Sequence, residues 1–283
     1  MNIDTISPLK QSEKSVNNCS DISPRVSRIP AFDDNYIWFI HGLANLHAEQ
    51  QIIIVDPGEA APVIEAIKAN DYQPQAIFIT HHHADHTGGI SELLKTYNIP
   101  VYGPQNETIE SINFTLNEEL SINMPDMGLS FDVLDVPGHT RGHIAYVGHH
   151  LLFIGDTLFA GGCGRIFEGT SEQMHHSLAK LLKLSDETMV YCAHEYTTDN
   201  LVFAQRVEPD NQQLQQRIED TQILRNNNQS TVPSNLALEK QTNPFLRFDM
   251  ASVRSAAENF AGHPLTTPAE VFKTVRYWKD TLD

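Results

Sequence analysis

Histidine and aspartate crowd one short segment of this chain, where the six residues from position 81 read HHHADH. An apolar run directly before it predicts a buried strand over Ala76–Ile79. Residues two apart on an extended strand exit point the same way, so His81 and His83 can bind one ion. A helical pattern begins just after the segment and redirects Asp85 and His86 toward a neighbouring position. The chain must therefore fold so that a strand ends beside a metal site and a helix follows it.

Three later strand candidates also end in residue types that bind metals. A lone histidine or aspartate after a strand is usually a turn or capping residue. Their recurrence at successive strand exits instead predicts one shared edge of a sheet, and it favours a metal site over a set of turns. The three are His139 after Phe131–Val136, Asp156 after Leu151–Ile154 and His194 after Met189–Cys192.

Strands and helices alternate between residues 26 and 193, which predicts an α/β fold with helices covering the sheets. From residue 198 onward only helical patterns are found, and the last helix has a marked start, with Thr267 as cap, Pro268 at the first position and Glu270 completing a capping box. We therefore divide the chain into a flexible tail at 1–25, an α/β catalytic domain at 26–195 and a helical substrate-binding domain at 196–283. Other predicted elements are strands at Ile52–Val55 and Ile144–Val147 and helices at Ala61–Ala69, Gly89–Tyr97 and Ser171–Leu184.

Charge and cysteine content narrow the classes of function. The net charge of −17, from 36 acidic and 19 basic residues, repels polyphosphate and argues against a nucleic-acid partner. No apolar run approaches the roughly 20 residues that cross a bilayer, and the N-terminal residues lack the apolar centre of a secretory signal. The three cysteines, Cys19, Cys163 and Cys192, form no CxxC pair. We expect a monomer in the reducing cytoplasm, without a membrane partner.

The HxHxDH segment followed by strand-end His, Asp and His resembles the metallo-β-lactamase superfamily, whose fold is an αββα sandwich. The resemblance implies two divalent metal ions, with zinc expected first and iron or manganese also compatible with these ligands. It gives Asp56, after the strand Ile52–Val55, a supporting role, although an Asp-Pro-Gly turn explains that residue equally well. The implied ligands are His81, His83 and His139 for metal one and Asp85, His86 and His194 for metal two, with Asp156 bridging both.

This ligand set suits hydrolysis. Two divalent ions carry four positive charges, and two carboxylates with five neutral imidazoles return only two negative ones. The excess favours a metal-bound hydroxide as nucleophile, because a bound metal can lower the pKa of water from 15.7 to about 7. Asp85 and Asp156 are the side chains assigned to this catalysis. Cys163 has no evident partner base, so we interpret it as structural.

A closer resemblance covers nearly the whole chain from about residue 26, and it is to glyoxalase II, the hydroxyacylglutathione hydrolase family. It implies that a glutathione thioester, S-D-lactoylglutathione, is hydrolysed to glutathione and D-lactate in methylglyoxal detoxification. A thiolate leaving group fits, because a thiol pKa near 8.5 allows departure without a dedicated acid. The motifs are Asp34-Asn35-Tyr36, Gly155-Asp156-Thr157-Leu158-Phe159, Gly161-Gly162-Cys163-Gly164-Arg165, His194-Glu195-Tyr196-Thr197 and Asn243-Pro244-Phe245-Leu246-Arg247.

The same resemblance implies the contacts to the glutathione part of the substrate. Arg276 and Lys279 lie three residues apart on the last helix and hence on one face. Without the resemblance, they would be interpreted as a solvated surface pair. Phe167 lacks the hydroxyl of the tyrosine found in some members, and some members have lysine in place of the arginine at 165. The implied substrate-binding residues are Arg165, Tyr196, Phe203, Arg276 and Lys279.

Other functions stay open at this stage. A persulfide dioxygenase of the same fold uses one iron ion and also handles glutathione, but its relatives are usually shorter at the C-terminus. Other hydrolases of the superfamily are possible, and a non-catalytic binding protein would be expected to lack ligands that are all present here. Among the remaining histidines, His82 is expected to face away from the ligands and His143 to have a supporting role. The pairs His149-His150 and His175-His176 are expected at a hairpin turn and on a helix surface.

Overall fold

The computed structural model describes residues 6–8 and 23–282. Contacts divide the chain into two compact units, one formed by residues 1–135 and 144–153 and the other by 136–143 and 154–283. The boundary near residue 195 concerns catalytic and substrate-binding domains rather than contact density, and it stays a prediction. Within the predicted tail, Ile6–Pro8 forms strand β1 and residues 23–25 have no regular structure. The rest of the tail, with Cys19, lies outside the described residues.

The first unit contains a six-stranded sheet in the order β2-β3-β4-β5-β6-β7. Strands β2, β3 and β4 are antiparallel, whereas β4 to β7 are parallel. Their core is almost wholly aliphatic and is covered by two helices, Ala60–Asn70 and Ile90–Thr96. The elements are β2 (Val26–Ala31), β3 (Asn35–His41), β4 (Gln51–Val55), α1 (Ala60–Asn70), β5 (Gln73–Phe78), α2 (Ala84–Thr87), α3 (Ile90–Thr96), β6 (Val101–Pro104) and β7 (Phe114–Leu116).

The same unit holds a run of antiparallel strands in the order β1-β8-β9-β10-β11. They are β8 (Leu120–Met124), β9 (Leu129–Asp135), β10 (Ile144–Gly148) and β11 (Leu151–Gly155), whose last two residues belong to the second unit. The Phe78 ring from β5 lies 6.0 Å from Phe131 on β9 and 4.7 Å from Tyr146 on β10, so the two sheets pack face to face. The two-residue turn between β10 and β11 is His149-His150, with φ of 54° and 58°. The predicted hairpin turn is therefore confirmed.

The second unit is mainly helical. Its last helix begins with the predicted capping box of Thr267 and Glu270, which is confirmed. The prediction that no strand follows residue 198 is wrong at Ser234–Asn235, because a strand of two residues leaves no alternating pattern in the sequence. The elements are β12 (Leu158–Phe159), β13 (Gly162–Cys163), α4 (Ser171–Leu181), β14 (Met189–Cys192), α5 (Thr197–Val207), α6 (Gln212–Asn226), β15 (Ser234–Asn235), α7 (Leu236–Thr242), α8 (Ala251–Ala261) and α9 (Pro268–Asp280).

His175 departs from its predicted place on a helix surface. Its ring is half-buried on α4, 4.4 Å from the ring of Phe248 and 6.0 Å from that of Phe272 on α9. Burial lowers the pKa of this imidazole, as expected for a ring packed against aromatic side chains. Among the helices of the described residues, none combines the length and apolar character needed to cross a lipid bilayer.

Candidate functional site

The first group of site residues lies where β5 ends in the first unit. His81 is fully buried, and its Nδ1 donates to the Thr80 hydroxyl at 3.0 Å. This bond leaves the Nε2 lone pair of His81 facing the Nδ1 of His83, 3.2 Å away. Two ligand atoms on one tetrahedral ion, each bonded at about 2.0–2.1 Å, lie about 3.3 Å apart. The two nitrogen atoms thus have the spacing of neighbouring ligands on a single ion.

His86 is oriented by a buried carboxylate. Its Nδ1 donates to Asp56 Oδ2 at 3.0 Å, which leaves Nε2 as the atom available to a metal. Asp56 also accepts from the Thr80 backbone N–H at 2.8 Å and from the Thr80 hydroxyl at 2.7 Å. It adopts a left-handed φ of 50°, a conformation that aspartate and asparagine tolerate better than most residues. These contacts support an orienting role for Asp56 over a simple turn.

Replacing Asp56 with asparagine should lower metal affinity by about 10–100-fold, the usual effect of losing such an orienting partner. The amide keeps the shape and tolerates the left-handed backbone, but its nitrogen cannot accept the proton of His86 Nδ1. Metal affinity would be measured by competition with a chromogenic chelator. Asp33→Asn, an exposed aspartate two residues after β2, is the matched control. Equal affinities in both variants would show that Asp56 does not orient a ligand.

Asp85 completes the group in the first unit. Its Oδ2 lies 3.4 Å from His86 Nε2, again the spacing of two ligands on one ion, and it accepts from the side-chain amide of Asn35 at 3.0 Å. Sequence reasoning gave Asn35 no role of its own, since nothing in its local pattern points to residue 85. His82 lies apart from these contacts and donates from Nδ1 to Glu107 Oε2 at 2.9 Å.

The second unit brings His139, Asp156 and His194 together. A single carboxylate oxygen, Asp156 Oδ2, lies 3.5 Å from His139 Nε2 and 3.4 Å from His194 Nε2. His139 Nδ1 donates to the Arg165 carbonyl at 2.7 Å, which directs its Nε2 toward Asp156. The Asp156 backbone N–H donates to Nε2 of the buried His143 at 3.2 Å. One oxygen shared by two imidazoles is the arrangement expected of a carboxylate that bridges two ions.

The donor atoms therefore fit divalent metals of the zinc, iron and manganese type. They are imidazole nitrogens and carboxylate oxygens, which these metals accept. Among the described residues, histidine and carboxylate side chains form clusters of three whose ligand atoms lie within 4.8 Å of one another, close enough to bind a metal ion.

A cavity of about 440 Å³ lies within the second unit, beside α5 and α9. Its walls include all five residues that the sequence singles out for substrate contacts, namely Arg165, Tyr196, Phe203, Arg276 and Lys279. The ring of Tyr196 stacks on that of His194 at 4.7 Å, with an interplanar angle of 7°. Phe167 is mostly exposed and lies 5.3 Å from the ring of His139. One cavity thus collects cationic and aromatic side chains that are up to 114 residues apart in the chain.

Arg276 is only 3% exposed and is not the solvated residue that helix position alone suggests. Its guanidinium donates to the Cys163 carbonyl at 3.0 Å and to Asp280 Oδ1 at 2.9 Å, and it lies over the ring of Phe245 at 5.2 Å. Lys279 donates to the side-chain oxygen of Asn200. The cavity therefore has a positive wall in a chain that is strongly acidic overall.

The buried thiol of Cys163 borders this wall. Burial raises its pKa, and the nearby charges of Arg276 and Lys279 oppose the rise only in part. A thiol with a raised pKa is a poor nucleophile at neutral pH. This agrees with the structural interpretation of Cys163.

A buried ion pair holds the hairpin β12–β13 that carries Cys163. Glu239 on α7 is fully buried and accepts from the Gly161 backbone N–H at 2.9 Å and from the Asn243 side chain at 3.0 Å. The other oxygen of Glu239 pairs with Arg217 of α6. Asn243 also donates to the Gly162 carbonyl at 2.9 Å, so the turn of the hairpin is fixed from the helical part of the unit.

Comparison with known proteins gives consistent results over residues 36–282. The metallo-beta-lactamase superfamily model matches residues 36–194, and the model of the hydroxyacylglutathione hydrolase C-terminus matches residues 195–282. Proteins named hydroxyacylglutathione hydrolase are similar to it. The protein of Nitrosomonas europaea is 49% identical over 90% of this chain and 95% of its own length. The protein of Alkalilimnicola ehrlichii is 52% identical over 89% of this chain and 97% of its own length. The crystal structure of the BLEG-1 B3 metallo-beta-lactamase, 22% identical, matches with a TM-score of 0.60 over 78% of this chain and 99% of that one.

Proposed function

Because the chain belongs to the hydroxyacylglutathione hydrolase family of the metallo-β-lactamase superfamily, we propose that it hydrolyses S-D-lactoylglutathione to D-lactate and glutathione at a two-metal centre. Membership makes the chain a hydrolase with the metallo-β-lactamase fold followed by a helical C-terminal domain. The observation that carries the substrate assignment is the identity of about half of all residues to hydroxyacylglutathione hydrolases over nine-tenths of the chain. Such a substrate places the reaction second in the removal of methylglyoxal.

The proposed centre uses seven side chains. Metal one would be held by His81, His83 and His139 and metal two by Asp85, His86 and His194, and Asp156 would serve both. The spacings of 3.2–3.5 Å within each group of ligand atoms support this assignment. When bound, two divalent ions would supply Lewis acidity and lower the pKa of water to about 7. Zinc is the metal we expect first, with iron or manganese as alternatives.

The chain's own groups prepare the reaction by fixing proton positions. Asp56 accepts a hydrogen bond from His86 Nδ1, and the Arg165 carbonyl accepts one from His139 Nδ1. Each bond fixes the proton on Nδ1 and so keeps the Nε2 of the same ring unprotonated. No acid is needed for the leaving group, because a thiol has a pKa near 8.5 and leaves as thiolate. A thioester differs in this respect from an amide, whose leaving nitrogen generally has to be protonated.

The cavity of the second unit is proposed to bind the peptide part of the substrate. Glutathione carries two carboxylates and one ammonium group, so a protein of charge −17 has to provide a local positive surface for it. Arg276 and Lys279 supply charge from α9 and Arg165 from the loop after β13, while Tyr196 and Phe203 offer aromatic surface. We propose a monomer in the cytoplasm, and the free thiols of Cys163 and Cys192 support the reducing compartment.

Metal analysis combined with a thioesterase assay tests this function. Purified protein should bind about two metal ions per chain and hydrolyse S-D-lactoylglutathione, with activity lost on chelation and restored by zinc. Oxygen uptake with glutathione persulfide is the control for the dioxygenase alternative, and none is expected. A metal-replete sample that leaves the thioester intact would reject the proposed function.

A further inference from the structure

The helix α5 presents one face to the 440 Å³ cavity, through residues spaced three or four apart. Asp199 lies at the start of this face, Phe203 in the middle and Arg206 at its far end. Arg206 is exposed, and among the residues that the structure describes it makes no hydrogen bond or ion pair. Its guanidinium is therefore available to a ligand in the cavity without displacing a protein partner.

The other cationic side chains of the cavity differ from Arg206, because each already has a hydrogen-bond or ion-pair partner within the protein. Arg276 bonds to the Cys163 carbonyl and to Asp280, and Arg165 lies 3.6 Å from the same Asp280 carboxylate. Lys279 donates to Asn200. Arg206 also borders a second cavity of about 950 Å³, where Arg247 is already bonded to Glu208. Arg206 thus lies in the last turn of α5, on the walls of both cavities, where an anion can reach it.

The length of this face matches a tripeptide. Arg206 lies seven positions after Asp199, which corresponds to about 10 Å along a helix. An extended chain of three residues also spans about 10 Å. Glutathione has a carboxylate at each end, so once one is bound by the α9 cations Arg276 and Lys279, a second carboxylate is left to be neutralised.

We propose that Arg206 binds a substrate carboxylate at the C-terminal end of the α5 face and thereby sets the preference for full-length glutathione thioesters. This inference rests on the proposed function and extends it to a residue outside the implied contacts. Arg206 is a specificity-determining residue, since it lies on the cavity wall and outside both groups of metal ligands. Its loss weakens binding of the peptide and leaves the chemical step unchanged.

The test compares Arg206→Glu with Lys68→Glu, which makes the same charge change on the exposed surface of α1. Kinetics with S-D-lactoylglutathione would give KM and kcat, and calorimetry would give the Kd of S-hexylglutathione, a thioether that cannot be hydrolysed. For Arg206→Glu we expect KM and Kd to rise about tenfold, whereas kcat should stay within about twofold of the wild-type value. This is the effect of losing one charge-assisted hydrogen bond that is equally strong in the ground state and the transition state. Lys68→Glu should match the wild type in all three values.

Two shortened substrates identify the carboxylate. The S-lactoyl derivatives of γ-glutamylcysteine amide and of N-acetylcysteinylglycine each lack one of the two carboxylates, and the acetyl group of the second prevents transfer of the lactoyl group to the cysteine nitrogen. The effect of Arg206→Glu should disappear with the derivative that lacks the carboxylate bound by Arg206. The inference fails if KM and Kd match those of the Lys68 variant, if only kcat changes, or if the effect persists with both derivatives. A wild-type protein inactive on the thioester would reject the proposed function instead, and the Kd of S-hexylglutathione would still report on Arg206.

Discussion

Replacing Asp156 with asparagine should lower kcat/KM for thioester hydrolysis at least about 10³-fold, equivalent to about 4 kcal/mol of transition-state stabilisation. Asp156 Oδ2 lies within 3.5 Å of both His139 Nε2 and His194 Nε2, so it is well placed to hold two cations together. Asparagine keeps the size of the side chain but removes the negative charge that offsets the two ions. Its backbone N–H can still donate to His143, so the local fold should persist.

Metal content gives a second measurement for the same variant. We expect Asp156→Asn to retain one ion or fewer per chain by elemental analysis, against about two for the wild type. Asp71→Asn is the control, because this exposed aspartate follows α1 in a left-handed conformation that asparagine also adopts. If the Asp156 variant kept two ions and full activity, the bridging assignment would be wrong.

Replacing Glu239 with glutamine should lower the free energy of unfolding of the second unit by about 3–5 kcal/mol. The amide leaves the guanidinium of Arg217, only 5% exposed, without its carboxylate partner. A buried unpaired charge is among the most destabilising single changes in a protein. The amide nitrogen also faces Ser234 and Arg217, which both donate to the carboxylate in the native chain.

Urea denaturation followed by far-ultraviolet circular dichroism would measure this loss of unfolding free energy. The curves would be fitted with a separate transition for each of the two units. Glu172→Gln is the matched control, since it removes a carboxylate from an exposed pair with Lys273 whose atoms are 3.9 Å apart, and it should leave the transition unchanged. Because Glu239 fixes the turn that precedes Cys163 and Arg165, we also expect a raised KM. An unfolding transition identical to that of the wild type would show that the ion pair does not stabilise the unit.

Much of the regular structure was predictable because it depends on neighbours in the chain. The strand at Met189–Cys192 and the capping box of Thr267 and Glu270 follow from local periodicity and local hydrogen bonds. Strand β3 was not singled out, since all of its residues are buried and its pattern does not alternate. Strands β6 and β7 have only three or four residues, too few for a periodic signal.

The chain alone determined which side chains could bind metals and roughly where each leaves a strand, because those features depend on residue type and on spacing of a few residues. Only the tertiary structure decided how they are oriented. Asp56 reaches His86 across 30 residues, Glu239 reaches Gly161 across 78 and Arg276 reaches Cys163 across 113. Such bonds form when separate elements pack together, so no local pattern records them. Arg206 shows the same division, because its charge is visible in the sequence whereas its place on the cavity wall and its lack of a described partner are not.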